Sequence, residues 1–245
     1  MPKPLPTAEE SVRAADYQGL WEVRALEKIN MRAVFEKSGR AVYISHLDLV
    51  RTMQRAFKRA KAPVWYTQGY NPRIYLNFPL ALSLGVSSMT EFMDFAVTEI
   101  VGFDELRDML NDAMPEGLKI LRVFEPVHPN KDIGFAEYCI DFYSADSDRA
   151  AAALEAMMSM DAIEIDKRSK SKGTVKIDIK PHLDIIGTKA AGDRLNVEIR
   201  LPAGLSLNIN SNVFSDTFSV ISGIKFDKIC TERTKILLVN GENFI

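Results

Sequence analysis

The chain has 245 residues, of which 47% are hydrophobic and 26% charged, a composition typical of folded globular proteins that excludes general disorder. No apolar run approaches the roughly 20 residues that a membrane helix needs, and the N-terminal residues lack the apolar centre of a signal peptide. Two cysteines and three histidines are too few for a disulfide framework or a dense metal site. We therefore expect a cytoplasmic protein with no membrane partner, no metal site and no cofactor of its own.

Charge is distributed unevenly along the chain. Residues 40–73 contain seven basic side chains and one acidic one, whereas residues 74–166 contain five basic and 18 acidic ones. Residues 167–245 are basic again, with 13 basic and eight acidic side chains. The net charge of -2 therefore conceals basic segments that suit a polyanion such as nucleic acid. Uneven charge is also common in proteins that bind no polyanion, so the pattern alone leaves both interpretations open.

The first half of the chain predicts strands and helices in a regular order after an N-terminal extension, residues 1–30. Alternating apolar residues predict a strand at 31–36. Ser45 is expected to cap a helix from about His46 to Lys61, with Asp48 at the third helical position, and Pro63 follows its end. A short apolar piece at 41–44, strands at 64–67, 73–78, 91–97 and 118–124, and a helix at 103–114 complete this half.

The second half repeats that order after a boundary marked by Pro126, Pro129 and Gly134. Strands are expected at 136–143, 162–166, 174–180, 195–201 and within 224–239, and helices at 146–160 and 210–221. The repeated order predicts an α+β protein in which two ferredoxin-like βαββαβ units, residues 31–126 and 135–245, pack as one compact protein.

Three arginines form a cationic stripe on the predicted helix at 46–61. Arg51, Arg55 and Arg59 are spaced by four residues and therefore share one face, and Asp48 is the only acidic residue between positions 40 and 73. The guanidinium group donates two parallel hydrogen bonds to phosphate, which favours a phosphate-binding role. The alternative is that these arginines pair with the acidic segment at 74–166.

The turn that follows this helix combines polar, aromatic and cationic residues. Such a mixture of phosphate-binding and base-stacking side chains is typical of surfaces that bind single-stranded RNA. The alternative is that Trp65, Tyr66 and Tyr70 are core or interface aromatics. If the turn binds RNA, the residues expected to contact it are Gln68, Gly69, Tyr70, Asn71 and Arg73, with Tyr66 as a second candidate for stacking.

A second basic cluster occupies the predicted connection between the strands at 162–166 and 174–180. Four cations within six residues favour a hairpin tip that reaches along a phosphate backbone, although solvated lysine loops are also common. The cations are Lys167, Arg168, Lys170 and Lys172.

His46 raises the possibility of catalysis because imidazole titrates near neutral pH. With Tyr43 three residues before it, His46 is a candidate for metal-independent RNA cleavage through the ribose 2′-hydroxyl. The alternative is a histidine that only hydrogen-bonds the turn and helps to cap the helix. The sequence contains no Ser-His-Asp order, phosphate-binding glycine loop or C-x-x-x-C-x-x-C motif, so we expect no catalytic residue, with His46 and Tyr43 as the exception to test.

The sequence between residues 31 and 97 resembles a known bacterial family. The residues that carry the resemblance are Tyr43-Ile44-Ser45-His46-Leu47-Asp48, Arg51, Arg55, Arg59, Gln68-Gly69-Tyr70-Asn71-Pro72, Pro79-Leu80, Leu84-Gly85 and Glu91. They are similar to the radical SAM-linked family that contains the domain of unknown function DUF2344. The position after Asn71-Pro72 is usually histidine in that family and is Arg73 here, which keeps positive charge at the turn.

The resemblance implies a partner rather than an independent activity. It implies that the protein works beside a cobalamin-binding radical SAM enzyme, which would carry the iron–sulfur cluster, S-adenosylmethionine and cobalamin. This chain would then be an accessory subunit in RNA modification that binds RNA, such as tRNA or rRNA, and no DNA.

Two alternatives to this role stay open. The first is a protein-interaction module that docks on the radical SAM enzyme without touching RNA. The second is a metal-independent endoribonuclease that uses His46.

Overall fold

The structure is a computed structural model that describes residues 28–169, 173–205 and 207–245. Within these ranges the fold is mixed α+β, with four α-helices, one eight-stranded mixed sheet and a separate two-stranded sheet. Most of the expected N-terminal extension, residues 1–30, lies outside the described residues. Residues 29 and 30 belong to the first strand rather than to the extension.

The strands and helices alternate along the chain. The strands are β1 (Ile29–Lys37), β2 (Leu76–Asn77), β3 (Val86–Val97), β4 (Leu118–Phe124), β5 (Ile133–Tyr143), β6 (Glu164–Ser169), β7 (Gly173–Asp178), β8 (Asp184–Ala191), β9 (Arg194–Pro202) and β10 (Lys228–Leu238). The helices are α1 (His46–Ala60), α2 (Phe103–Asn111), α3 (Ser147–Met158) and α4 (Ser211–Ser222). No helix in the described ranges combines the length and the apolar character that crossing a membrane requires.

The large sheet joins the two halves of the chain. Its strand order is β4-β1-β3-β10-β5-β9-β8, and the short β2 also pairs with β3. The last strand, β10, lies between the halves, because it pairs antiparallel with β5 and parallel with β3. The parallel contact is short and involves Thr231–Arg233 against Val86–Ser88. The end of the chain is therefore built into the middle of the sheet.

Each half of the sheet is covered by two helices and has its own group of buried aromatic residues. Phe57 of α1 meets Phe95 of β3 edge to face, with ring centroids 5.0 Å apart, and α2 packs on the same cluster. In the second half, Phe142 of β5 meets Phe218 of α4 at 5.0 Å. Burying each such side chain contributes about 1.5–3 kcal/mol. Phe92 of β3, a strand of the first half, belongs to the second cluster, so the apolar core continues from one half to the other.

Helix α1 forms where its sequence predicts, and for the expected reasons. The Ser45 hydroxyl accepts a hydrogen bond from the Asp48 N–H at 3.1 Å, which is the geometry of a helix N-cap. Leu49, Met53 and Phe57 recur at the spacing of one helical face and are buried. The helix ends at Ala60, and the residue that follows it, Lys61, has φ +53°. Arg51, Arg55 and Arg59 lie on the exposed side of the helix.

Several short segments differ from the sequence-based expectation. The apolar piece at 41–44 lies mostly within a 3₁₀ turn, Gly39–Tyr43, and the expected strand at 73–78 is reduced to the two residues of β2. Strand β8 was not predicted. It lies at the edge of the large sheet with most of its side chains at least partly exposed, so it lacks the apolar alternation that identifies a half-buried strand.

The second basic cluster was expected to lie in a connection between two strands, but part of it belongs to a strand. Lys167 and Arg168 belong to β6, which pairs with β7 in the separate two-stranded sheet. The connection comprises residues 170–172, so Lys170 and Lys172 lie outside the described residues. The expectation placed the end of β6 three residues too early, because the polar residues 167–169 carry no apolar alternation to mark a strand.

Candidate nucleic-acid interface

The three arginines of α1 have different surroundings. Arg51 Nη1 lies 3.3 Å from Asp48 Oδ1, and Arg59 Nη2 donates to the carbonyl oxygen of Ala113, just after α2, at 2.6 Å. Arg55 is exposed and makes no ion pair within the described residues. Across the ranges that the structure describes, none of the three arginines pairs with an acidic side chain of residues 74–166. The stripe is therefore open to a ligand at Arg55 and in part at Arg51.

Asp48 restrains the first of these arginines. The Ser45 hydroxyl donates to Asp48 Oδ2 at 2.8 Å. This hydrogen bond is the main reason that the pKa of Asp48 is lowered, and Arg51 lowers it further. Asp48 is therefore ionised at neutral pH and competes with any phosphate for Arg51.

The turn after α1 is the end of a hairpin, residues 64–77, that lies against the edge of β3. Val64 forms a bridge with Val97 of β3, and Tyr66 forms one with Ile74. The Thr67 N–H donates to the carbonyl oxygen of Arg73 at 2.8 Å. These bonds fix the two arms and leave residues 68–72 as a solvent-exposed tip.

The residues of the tip that were predicted as ligand contacts are brought together and are all exposed. The Tyr70 side chain is 100% exposed, and Gly69 has φ +138°, a backbone conformation that favours glycine. The Arg73 side chain is exposed, and the backbone N–H of Arg73 donates to the Thr67 hydroxyl at 3.1 Å. Gln68 and Asn71 are exposed beside them. The tip and the adjacent Arg73 therefore present an aromatic ring, amide groups and a guanidinium to solvent.

One side of the hairpin carries an aromatic pair that the sequence analysis did not single out as a site. Trp65 and Tyr75 lie opposite each other on the two arms, with ring centroids 6.1 Å apart and ring planes at 81°. The ammonium group of Lys28 lies 4.0 Å from the Tyr75 ring centroid and 4.9 Å from that of Trp65. The period-two alternation of the arms was the available signal, since it places both rings on one side.

Tyr43 lies just before α1, His46 is the first residue of α1, and both are exposed. The His46 ring packs edge to face on Phe78, with centroids 5.3 Å apart. No hydrogen bond joins Tyr43 to His46 in the described part of the chain. The packing on Phe78 gives His46 a structural role, and catalysis by this pair stays a prediction.

A buried ion pair lies beneath the loop that contains Pro79-Leu80 and Leu84-Gly85. Arg233 of β10 donates to both carboxylate oxygens of Glu91 on β3, at 2.9 and 3.1 Å. It also donates to the carbonyl oxygens of Leu80 and Ala81, at 3.2 and 3.0 Å. Sequence analysis missed Arg233, because nothing near it in sequence indicates its partner.

Lys37 holds the neighbouring loop in a similar way. Its buried ammonium donates to the carbonyl oxygen of Val42 at 3.3 Å, and the Gly85 N–H donates to the same oxygen at 2.9 Å. Burial lowers the pKa of Lys37, an effect that the carboxylate of Glu91 opposes. The segments around Val42 and Gly85 are therefore joined through the carbonyl oxygen of Val42.

Potential metal ligands are dispersed. Within the described ranges, no three His, Cys, Asp or Glu side chains lie close enough together to hold a metal ion. Cys139 and Cys230 are free thiols on the adjacent strands β5 and β10. Burial raises the pKa of the Cys139 thiol, although a hydrogen bond from Asn196 opposes this effect. At neutral pH, Cys139 is therefore predominantly the uncharged thiol.

The comparison with protein families decides the classification. Residues 30–211 match the family model described as an uncharacterized protein conserved in bacteria, DUF2344. The chain belongs to the DUF2344 family. The DUF2344 match includes α1, the hairpin and Glu91, but it ends before β10. Arg233, the partner of Glu91, thus lies outside the matched range.

No curated protein matches the chain. The crystal structure of an unknown protein from Galdieria sulphuraria is similar at 13% sequence identity, with 84% of this chain and 99% of that chain covered. The TM-score is 0.24, which is too low to carry an argument about fold or function.

Proposed function

We propose that this member of the DUF2344 family is a non-catalytic RNA-binding protein that assists a cobalamin-binding radical SAM enzyme in RNA modification. The observation that carries the RNA-binding part is the hairpin tip, where the fully exposed Tyr70 lies close in sequence to the exposed Arg73. The partnership rests on the resemblance of residues 31–97 to the radical SAM-linked family. The partner would supply the iron–sulfur cluster, S-adenosylmethionine and cobalamin.

The chemistry of the tip suits single-stranded RNA better than a small ligand. The Tyr70 side chain is fully exposed among the described residues, and stacking on a base contributes about 1–3 kcal/mol. Arg55 and Arg73 are exposed donors for phosphate. The surface is open rather than a closed cavity, as expected for a strand of RNA that lies across it.

The strand order supports the proposal of two ferredoxin-like units at 31–126 and 135–245. In the first half the order is β4-β1-β3-β2, and in the second it is β10-β5-β9-β8. Counted within each unit, both orders place the fourth strand beside the first, the first beside the third, and the third beside the second. We infer that each unit is a βαββαβ fold, with β6 and β7 as an insertion in the second.

A second candidate function is docking on the partner enzyme without RNA contact. It is favoured by three exposed apolar side chains around the start of α1, namely Tyr43, Leu47 and Leu84. The hydrogen bond from Gly85 to Val42 holds two of the segments that carry them together. Exposed apolar residues with arginine beside them are typical of protein interfaces.

Fluorescence anisotropy with labelled single-stranded RNA tests the proposed function. Wild type is compared with Arg51→Ala/Arg55→Ala/Arg59→Ala at several salt concentrations. A control variant, Lys189→Ala/Arg194→Ala/Lys225→Ala, removes three exposed cations of the second half. We expect the α1 variant to bind more weakly and with a smaller salt dependence, by about 0.7 in the log–log slope for each phosphate that the variant no longer neutralises. The control variant should retain the wild-type slope.

The same assay separates the alternatives. If folded wild-type protein binds no RNA even at low salt, RNA binding is wrong and the docking function replaces it. RNA recovered after incubation with EDTA shows whether the protein cleaves it. Cleavage that disappears in His46→Ala would instead establish the endoribonuclease.

A further inference from the structure

We propose that Trp65 and Tyr75 form a base-stacking subsite for single-stranded RNA, with Lys28 and Arg73 as the phosphate contacts on either side. This inference rests on the proposed RNA-binding function and adds a second base-binding position to that of Tyr70. It concerns a side of the hairpin that the cationic stripe of α1 does not occupy.

The two rings form an open corner on the sheet. The Tyr75 N–H donates to the carbonyl oxygen of Trp65 at 3.2 Å, so the two residues face each other across the hairpin. The rings meet at 81°, and both side chains are only partly buried. A planar ligand such as a nucleobase can stack on the part of either ring that stays exposed.

The corner lies on the side of the sheet away from α1. The Trp65 N–H donates to the carbonyl oxygen of Ala96 in β3 at 2.8 Å, and Ala96 pairs with Asn30 of β1. The neighbours of Ala96 along β3, Phe95 and Val97, belong to the core beneath α1. Because side chains alternate along a strand, Ala96 and the Trp65–Tyr75 corner face the opposite side.

Lys28 shows that the corner attracts a cation. Its ammonium lies within 5 Å of both ring centroids, while the residue itself remains exposed. An exposed cation–π contact is weaker than the stacking of a nucleobase. A base can therefore take the ring face, and the displaced ammonium remains next to it to meet a phosphate.

Arg73 completes the other end of the subsite. Thr67 and Arg73 form the hairpin pair two residues nearer the tip than Trp65 and Tyr75. The alternation of the arms places Arg73 on the same side as the two rings, about 7 Å further along the strands. Lys28 lies at the opposite end, since Ile29 pairs with Val97, which also bridges Val64. The rings are thus flanked by one cation at each end.

Tryptophan fluorescence reports directly on the subsite. The chain contains two tryptophans, so Trp21→Phe leaves Trp65 as the only one. This variant is titrated with unlabelled oligo(U) and oligo(A) of about 12 nucleotides, and anisotropy is measured with fluorescein-labelled copies of the same oligonucleotides. We expect quenching of Trp65 with the same midpoint as the anisotropy change.

Affinity measurements on variants provide the second test. Trp65→Leu and Tyr75→Leu should weaken RNA binding about tenfold or more with an unchanged salt slope, and Trp65→Phe should retain most of the affinity. Lys28→Ala and Arg73→Ala should each reduce the slope by about 0.7. Phe103→Leu, which changes a partly exposed aromatic residue of α2, should bind like wild type.

The outcomes separate this inference from the proposed function. If RNA raises the anisotropy but leaves the Trp65 emission unchanged, and Trp65→Leu binds like wild type, the subsite is wrong and RNA binding stands. If the anisotropy does not change even at low salt, both are wrong. Should Trp65→Leu fail to fold, the quenching of Trp65 in Trp21→Phe still decides.

Discussion

Arg233 contacts both carboxylate oxygens of Glu91 in an ion pair that joins the two halves of the protein. The Nη1 atom of Arg233 lies 2.9 and 3.1 Å from the two carboxylate oxygens of Glu91, and each side chain is only 3% exposed. Arg233 also donates from Nε to the Tyr138 hydroxyl, from Nη1 to the carbonyl oxygen of Leu80 and from Nη2 to that of Ala81. The last strand of the chain therefore supports a loop of the family motif.

This ion pair belongs to a buried polar row that crosses four strands. Lys37 of β1 pairs with Ser88 of β3, Ser88 with Arg233 of β10, and Arg233 with Tyr138 of β5. All four residues are buried. A charge in such a position is tolerated only with a partner, and Glu91 is the carboxylate that joins Arg233.

We expect Arg233→Met to lower the free energy of unfolding by about 3–5 kcal/mol, because it leaves the Glu91 carboxylate buried without its main partner. Urea denaturation measures the change. The double variant Glu91→Leu/Arg233→Met should lose less than the sum of the two single variants, since neither charge is then left alone.

A matched control for this prediction is Arg107→Met on α2, which breaks surface ion pairs to Asp104 and Asp108. It should change stability little, because exposed pairs are well solvated. Equal losses from Arg233→Met and Arg107→Met would contradict a special role for the buried pair.

Asp48→Asn should strengthen RNA binding by about twofold to fivefold at low salt. The substitution removes the carboxylate that lies 3.3 Å from Arg51, and such a charge acts on a nearby cation with about 1 kcal/mol in water. Anisotropy titration measures the affinity. Asp104→Asn removes an exposed aspartate that pairs with Arg107 on α2 and should leave the affinity unchanged. A loss of affinity in Asp48→Asn would argue against the α1 surface.

Tyr70→Ala should weaken RNA binding without affecting stability. The side chain is fully exposed, so the free energy of unfolding should change by less than about 0.5 kcal/mol. Loss of one stacked base corresponds to a decrease in affinity of about fivefold to 100-fold. Phe103→Ala removes an exposed aromatic side chain of α2, outside the hairpin, and serves as the control. Equal affinity of Tyr70→Ala and wild type would exclude Tyr70 as a stacking residue.

Glu137 should make stability depend on pH in the acid range. Burial alone would raise the pKa of Glu137, but hydrogen bonds from Lys235 and Arg200 outweigh it and hold the pKa below the ordinary value of 4.5. Its distances to these partners are 2.8 and 2.7 Å. Because the folded pKa is the lower one, the stabilisation is present above about 4.5 and disappears as the pH falls through the folded pKa.

The test of this dependence is Glu137→Gln. We expect it to be less stable than wild type by about 1–2 kcal/mol near pH 7, with a smaller difference near pH 3. Urea denaturation at both pH values measures the difference. Glu155→Gln, which changes an exposed glutamate of α3, controls for the loss of one charge. A difference that stays constant with pH would show that Glu137 does not gain from its ionised form.

The sequence by itself determined the elements whose residues carry a local pattern. Helix α1 follows from its serine cap and the spacing of Leu49, Met53 and Phe57, and β4 has the bounds that its apolar alternation predicts. The exposed tip at 68–72 also follows from local composition, since Gly69 and Pro72 favour a turn. These features depend on neighbours within a few residues, which a single sequence displays.

Only the tertiary structure decided which distant residues meet. Arg233 and Glu91 are 142 positions apart, and neither residue's neighbours indicate that it is buried. Nothing near Lys28 in sequence indicates that it contacts Trp65 and Tyr75. The three residues meet because β1 pairs with β3 and β3 contacts the hairpin. Strand pairing and charge burial depend on contacts between elements, and periodicity within one element carries no record of its partner.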